Sequence, residues 1–249
     1  MLRIIVLSAT LWAIVVFSVG CAQQTQTSGP GGGENSKWVQ MNAEEMARAP
    51  KAKSPDINAS TFFATGILLE NQGNLTEAID KFNKAIELDP KYHAAYNHLG
   101  AIHLKLQQFD QAEAVYQKAL KHSPNDPVQL NNLAFVHLTQ HRYGESEKEL
   151  RRALKAAPDF SRAQVNLGIA LAKQEKYPES LDYFRKACSE AQANYNLAII
   201  LHAENKVELA RKYYQTALNF DGDFKAAEEG LEKLNSSRPA TFPAEKSDP

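Results

Sequence analysis

The sequence predicts an all-α solenoid of stacked helix pairs. Three observations predict it: a period of 34 residues, small residues placed for close helix contact, and prolines between the units. Gly66, Gly100, Ala134 and Gly168 stand 34 apart, as do Leu99, Leu133 and Leu167. Ala85, Ala119, Ala153 and Ala187 keep that step, and so do the bulky Phe82, Tyr116, Leu150 and Phe184. Pro90, Pro124 and Pro158 recur with them. One step then shortens to 30, from Leu167 to Leu197, Phe184 to Tyr214 and Ala187 to Ala217. The four missing residues fall between Ala187 and Leu197, and Gly222 replaces proline at the end of the fifth unit.

Each unit reads as helix, turn, helix. Phe62, Gly66 and Leu69 share one helical face, and Ala78, Phe82 and Ala85 share another. Asn71-Gln72-Gly73-Asn74 makes the turn between them. The glycine and alanine slots let paired helices approach, and a bulky side chain there would cost about 1–3 kcal/mol. The prolines stop one pair before the next begins. About five units result, near 59–92, 93–126, 127–160, 161–190 and 191–224. Lys225 to Leu234 continues the phase as a capping helix, with Leu231 in the leucine slot and Glu228, Glu229, Glu232 and Lys233 on a polar outer face. The repeat domain is expected to end near residue 235, with a disordered tail over 236–249.

The pattern in His93–Asp126 carries Tyr96, Leu99, Gly100, Phe109, Ala112, Tyr116, Ala119 and Pro124. It closely resembles the tetratricopeptide repeat (TPR), and the resemblance covers residues 59–224. The departures are local: Ser146 and Ser180 replace alanine, Leu130 and Gln164 replace an aromatic, and the fourth unit is clipped. The resemblance implies a right-handed superhelix whose first helices line a concave groove for a protein or peptide partner.

On that reading the groove is lined by Phe63 and Ile67 in the first unit and by Asn97, Ala101 and Leu104 in the second. The third offers Asn131, Phe135 and Leu138, the fourth Arg162, Val165 and Ile169, and the fifth Tyr195, Ile199 and His202. The stripe is largely apolar, so an extended peptide or an amphipathic helix is the expected ligand. Asn132, Asn166 and Asn196 sit beside the leucine of successive first helices, a slot that in the family bonds either between repeats or to a ligand backbone. The carboxylate clamp of the chaperone-binding members is not expected. Only Asn132 and Arg162 fall in matching places, and Asn97, Ala101 and Asn166 do not supply the rest.

Composition narrows the function further. The formal charge of −1 gives no basic field for nucleic acid, so no nucleic-acid partner is expected. His137 and His141, four apart, would share a helix face, but two ligands do not close a zinc site and the metalloprotease glutamate is absent. His103 and His137 hold equivalent places where paired helices pack, which suits half-buried structural histidines. The many carboxylates read as solvated outer faces paired with lysine. No nucleophile elbow, phosphate loop or dinucleotide fingerprint appears. A non-enzymatic protein is expected, with no metal, cofactor or small-molecule substrate. Cys188 reads as a small buried hydrophobe inside a helix.

The N-terminus adds an address. Arg3 precedes an uncharged, mostly apolar run from Ile4 to Gly20, the layout of a signal peptide over 1–20. Ser18-Val19-Gly20-Cys21 resembles the bacterial lipobox, although Ser18 stands where leucine is usual. The resemblance implies cleavage before Cys21 and acylation of that residue, hence membrane anchoring. Ala22 after the cysteine suits transfer to an outer membrane facing the periplasm. Residues 21–58, with Gly-Pro-Gly-Gly-Gly at 29–33, read as a flexible linker spanning about 35 Å on average. Asn42 with Glu45 could cap a short helix there, and Trp38 and Met41 could dock on the body. The function expected from all this is a membrane-tethered interaction scaffold of the cell envelope. Tetratricopeptide lipoproteins of this size that assist pilus or secretin assembly supply the alternative.

Overall fold

The computed structural model describes residues 58–236. The expected leader, Cys21, nearly all of the linker and the tail beyond Ser236 lie outside the described residues. Those described form eleven α-helices and fall into two compact units, 58–95 and 96–236. The helices are α1 (Ala59–Asn71), α2 (Leu75–Leu88), α3 (His93–Lys105), α4 (Phe109–His122), α5 (Pro127–Thr139) and α6 (Tyr143–Ala156). They continue as α7 (Ser161–Ala172), α8 (Tyr177–Ala187), α9 (Glu190–Ala203), α10 (Val207–Phe220) and α11 (Lys225–Ser236). Odd-numbered helices are the first of each pair, and α11 is the predicted cap.

Local signals set the helix starts. The Asn74 side chain accepts from Glu77 N and donates to Glu77 Oε1 at 2.8 Å, a reciprocal cap on α2. Asp126 Oδ1 accepts from the amides of Val128 and Gln129, both at 2.9 Å, while Pro127 takes the first position of α5, where its missing N–H costs nothing. Ser189 caps α9 through Gln192 N.

The turn inside each pair has a requirement that the sequence meets only once with glycine. Gly73 has φ +79°, and the equivalent Gln107, His141, Glu175 and Asn205 have φ of 58°, 61°, 63° and 59°. This left-handed geometry closes the first helix of each pair, and a Cβ there costs roughly 1–2 kcal/mol. Gln107→Gly is therefore expected to raise stability by about 1 kcal/mol, read as a higher urea midpoint at unchanged slope. His141 sits in this turn beyond α5, so it does not share a helix face with His137, contrary to the four-residue spacing.

Close approach of paired helices shows at Gly168. A Cβ built there would lie 2.5 Å from the ring of Phe184, which is fully buried. Gly100 faces Tyr116, and in the first unit Gly66 faces Phe82, in the same way. Where the third repeat has Ala134, its partner in the core is the thinner Leu150. In the fifth, Ala198 takes the small slot, and the Tyr214 ring lies against Gly230 of the cap.

The clipped fourth repeat has a simple anatomy. Its second helix, α8, runs 11 residues against 14 for α2, α4, α6 and α10, and only Cys188 and Ser189 join it to α9. Cys188 corresponds to Ile86, Leu120, Leu154 and Leu218. It is the half-buried residue that ends α8, with its thiol donating to the Phe184 carbonyl at 3.1 Å, and not a mid-helix core residue.

Not every carboxylate lies on a solvated face. Glu149 is 9% exposed and bonded to Arg152, and Glu113 bridges Arg142 (2.6 Å) and the buried His137 (3.5 Å). Glu147 of α6 accepts from Lys176 (2.8 Å), Gln174 (2.9 Å) and Arg151 (2.9 Å), joining the third repeat to the fourth. Burial pushes its carboxyl upward, but these three donors together outweigh burial and hold it at about 2. Because the folded value is depressed, Glu147 adds stability above the unfolded carboxylate range, and that stability fades as pH falls from about 4.5 towards 2. Thermal melts between pH 6 and 2 are expected to show a shallower acid loss in Glu147→Gln than in the parent.

Candidate partner-binding face

In the second unit the first helices pack in series, α5 on α7, α7 on α9 and α9 on α11. Across them runs a ladder of amides. Asn97 Oδ1 accepts from Gln129 Nε2 at 2.8 Å and from Asn132 Nδ2 at 3.0 Å. One repeat on, Asn131 Oδ1 accepts from Asn166 Nδ2 at 2.9 Å, between side chains 1% and 5% exposed. Of the two uses open to the asparagine slot, Asn132 and Asn166 take the bond between repeats. The next rung fails because Val165 offers no acceptor, and Asn196 turns to Gln192 (2.8 Å) and towards the Cys188 sulfur (3.9 Å).

The expected groove residues do not form one uniform stripe. Phe63, in the first unit, packs on Phe82 and Tyr92 with ring centroids 5.7 and 5.1 Å away, and Ile67 is half-buried. Tyr195 repeats that cluster with Tyr214 (5.9 Å) and Phe224 (4.9 Å), so each of these aromatics also closes the packing of its own repeat. Asn131, Leu138 and Ile169 are a correction: at 1%, 2% and 5% exposure they lie in the interior, not on an open wall. The cause is that α7 touches α5, α6, α8 and α9, so faces that look free within one helix pair are covered by neighbouring pairs.

What remains partly open is Leu104, Phe135, Val165 and Ile199, with Asn97 and His202 half-buried and Ala101 and Arg162 exposed. Phe135, Val165 and Ile199 pack on the core from outside. Burial, then the charge of Lys233, lowers the His202 pKa, and its Nδ1 lies 3.4 Å from the Tyr214 hydroxyl. Burial raises the Tyr214 pKa. Such a face can cover apolar and neutral groups, and its rigid amides fix the spacing between repeats.

Comparison with known proteins agrees with this geometry. The family model described as tetratricopeptide repeat matches residues 63–127 and 132–192, and a second model of the same description matches 191–224. The chain belongs to the tetratricopeptide repeat family, whose members are scaffolds for protein or peptide partners and generally not catalysts. A curated relative, the Protein SGT1 homolog of Oryza sativa subsp. japonica, is 47% identical over 45 residues, which is 18% of this chain and only 12% of the relative. Among solved structures, YrrB, described as a TPR protein with an unusual peptide-binding site, is 21% identical with a TM-score of 0.54, covering 70% of this chain and 92% of YrrB. Pseudomonas aeruginosa pilF is 22% identical with a TM-score of 0.53, covering 74% and 93%. At these identities the two structures share the fold.

Proposed function

We propose that this protein is a membrane-tethered scaffold whose first-helix face captures an extended peptide or an amphipathic helix. One observation carries the reading: half-buried apolar side chains recur on successive first helices, at Leu104, Phe135, Val165 and Ile199. Apolar groups left open in a row favour a covering partner. The amide ladder beside them holds the repeats in fixed register, so little ordering is needed on binding. The peptide-binding site in the description of YrrB is consistent with this mode on a shared fold.

The tether rests on the sequence Ser18-Val19-Gly20-Cys21, with a lipid on Cys21 placing the scaffold at an envelope membrane. Ala22 favours the outer membrane and its periplasmic face. Mass spectrometry of the mature N-terminus is expected to find acylated Cys21 as the first residue; an unprocessed leader contradicts the tether. A narrower reading, a lipoprotein that assists pilus or secretin assembly, is favoured by the joining of such a leader to a repeat array of this size. Co-purification of a ring-forming outer-membrane subunit supports it, and a set of soluble clients favours the general scaffold.

Phe135→Ala/Ile199→Ala tests the face directly, because both side chains are half-buried while Ile169 is in the core. Partner affinity is expected to drop at least about tenfold with the helical circular-dichroism signal retained. Unchanged capture by the folded variant refutes the face.

A further inference from the structure

A second surface lies at the edge formed by the turns between repeats. Pro127, Val128, Ala157, Pro158, Asp159 and Phe160 line a depression of about 430 Å³, large enough for one aliphatic or aromatic side chain. It is built by the first residues of α5 and the 157–160 turn, and Arg152 of α6 donates through Nη2 to the Pro124 carbonyl at 3.0 Å, tying α6 to the turn before α5. Beneath it, Gln164 Nε2 donates to the Pro158 carbonyl at 2.8 Å, which fixes the 157–160 turn. Pro127, Val128, Ala157 and Phe160 are half-buried, so the walls are firm and the opening apolar.

Along the chain the lining residues are flanked by more cations than carboxylates. Lys121 stands in the last turn of α4, Lys155 two residues before Ala157, and Arg162 two after Phe160; all three are exposed. None of the three makes an ion pair among the described residues. Against them stands the exposed Asp159, since Asp126 is engaged in capping α5. The period explains the bias: Asp89 and Asp221 hold the slot that Ser123 and Ala157 fill at this edge. Losing aspartate there removes negative charge and leaves a hydroxymethyl and a methyl group in its place.

We infer that this edge docks a short acidic peptide segment that places one leucine or phenylalanine side chain in the Pro158–Phe160 depression and its carboxylates against Lys121, Lys155 and Arg162. The apolar anchor supplies burial and the carboxylates supply orientation and rate. The depression shares no lining residue with the row Leu104, Phe135, Val165 and Ile199, and Arg162 borders both surfaces, so a protein with both holds two segments of one partner, or two partners, at once.

The test is a titration of the full chain with the peptide Asp-Glu-Asp-Leu-Phe-Asp-Glu, followed by amide chemical shifts. Saturable shifts are expected at Val128, Ala157, Asp159 and Phe160. Affinity is expected to drop about fivefold in Lys121→Glu/Lys155→Glu, the worth of two exposed ion pairs, and to stay unchanged in Phe135→Ala/Ile199→Ala. A control peptide with Asn and Gln for the acids is expected to bind as weakly to the parent as the acidic one does to the charge-reversed variant. Shifts centred on Phe135 and Ile199, indifference to the charge reversal, or no saturation by about 2 mM peptide would each overturn the proposal.

Discussion

Gly168→Ala is expected to destabilise the second unit by about 2 kcal/mol: overpacking costs up to about 3, and the better helix propensity of alanine returns about 1. The new methyl would stand 2.5 Å from a ring carbon of Phe184, and that ring, fully buried in the core, has no free space to enter. The third repeat shows how the conflict is resolved, with Ala134 and Leu150 in place of glycine and an aromatic ring. Phe184→Leu alone is expected to cost about 1–2 kcal/mol through lost burial. Combined with Gly168→Ala it recreates the third-repeat pair, so the double variant should lose at least about 1 kcal/mol less than the sum of the singles. Urea unfolding of the four proteins measures this coupling, and strict additivity would show that the two side chains do not share one volume.

Asn166→Leu is expected to cost about 2–3 kcal/mol although leucine is apolar and suits a helix. Asn166 donates to Asn131 Oδ1 at 2.9 Å with both side chains buried, so leucine strands an acceptor away from water. Removing both partners costs less than removing one, because the buried Asn131 acceptor goes with its donor. The pair Asn131→Leu/Asn166→Leu is therefore expected to recover about 1 kcal/mol or more of the single loss, in the same unfolding assay. A further loss in the double variant would mean that the rung is not the source of the stability.

The repeat itself was fully legible in the chain. Gly168, Phe184 and Ala187 recur with their counterparts because helix-on-helix contact is a short-range constraint that each repeat must satisfy. The cap was legible too, since α11 keeps the phase while its outward positions turn acidic and basic. The candidate face was legible only in outline. Helical phase within one pair cannot show that Ile169 and Leu138 are covered by a third and a fourth helix, so both looked open. Phe63 and Tyr195 looked like free aromatics because Tyr92 and Phe224, which they pack against, come from turns rather than helices. Glu147 looked like solvated charge because its partner Lys176 comes from the turn of the next repeat, whereas the Glu149–Arg152 pair is an i,i+3 pair within α6 and was legible from spacing. The left-handed turn slot was hidden for a different reason: Gln107, His141, Glu175 and Asn205 carry no mark of the conformation that Gly73 advertises.

The proposed partner-binding face is tested most directly by site-specific photo-crosslinking in intact cells. A photoreactive phenylalanine analogue is placed at Phe135, at Ile199, and at the exposed Lys148 of a second helix. A shared partner adduct from Phe135 and Ile199, absent from Lys148, is the expected result. Adducts from Lys148 with none from Phe135 or Ile199 would contradict it.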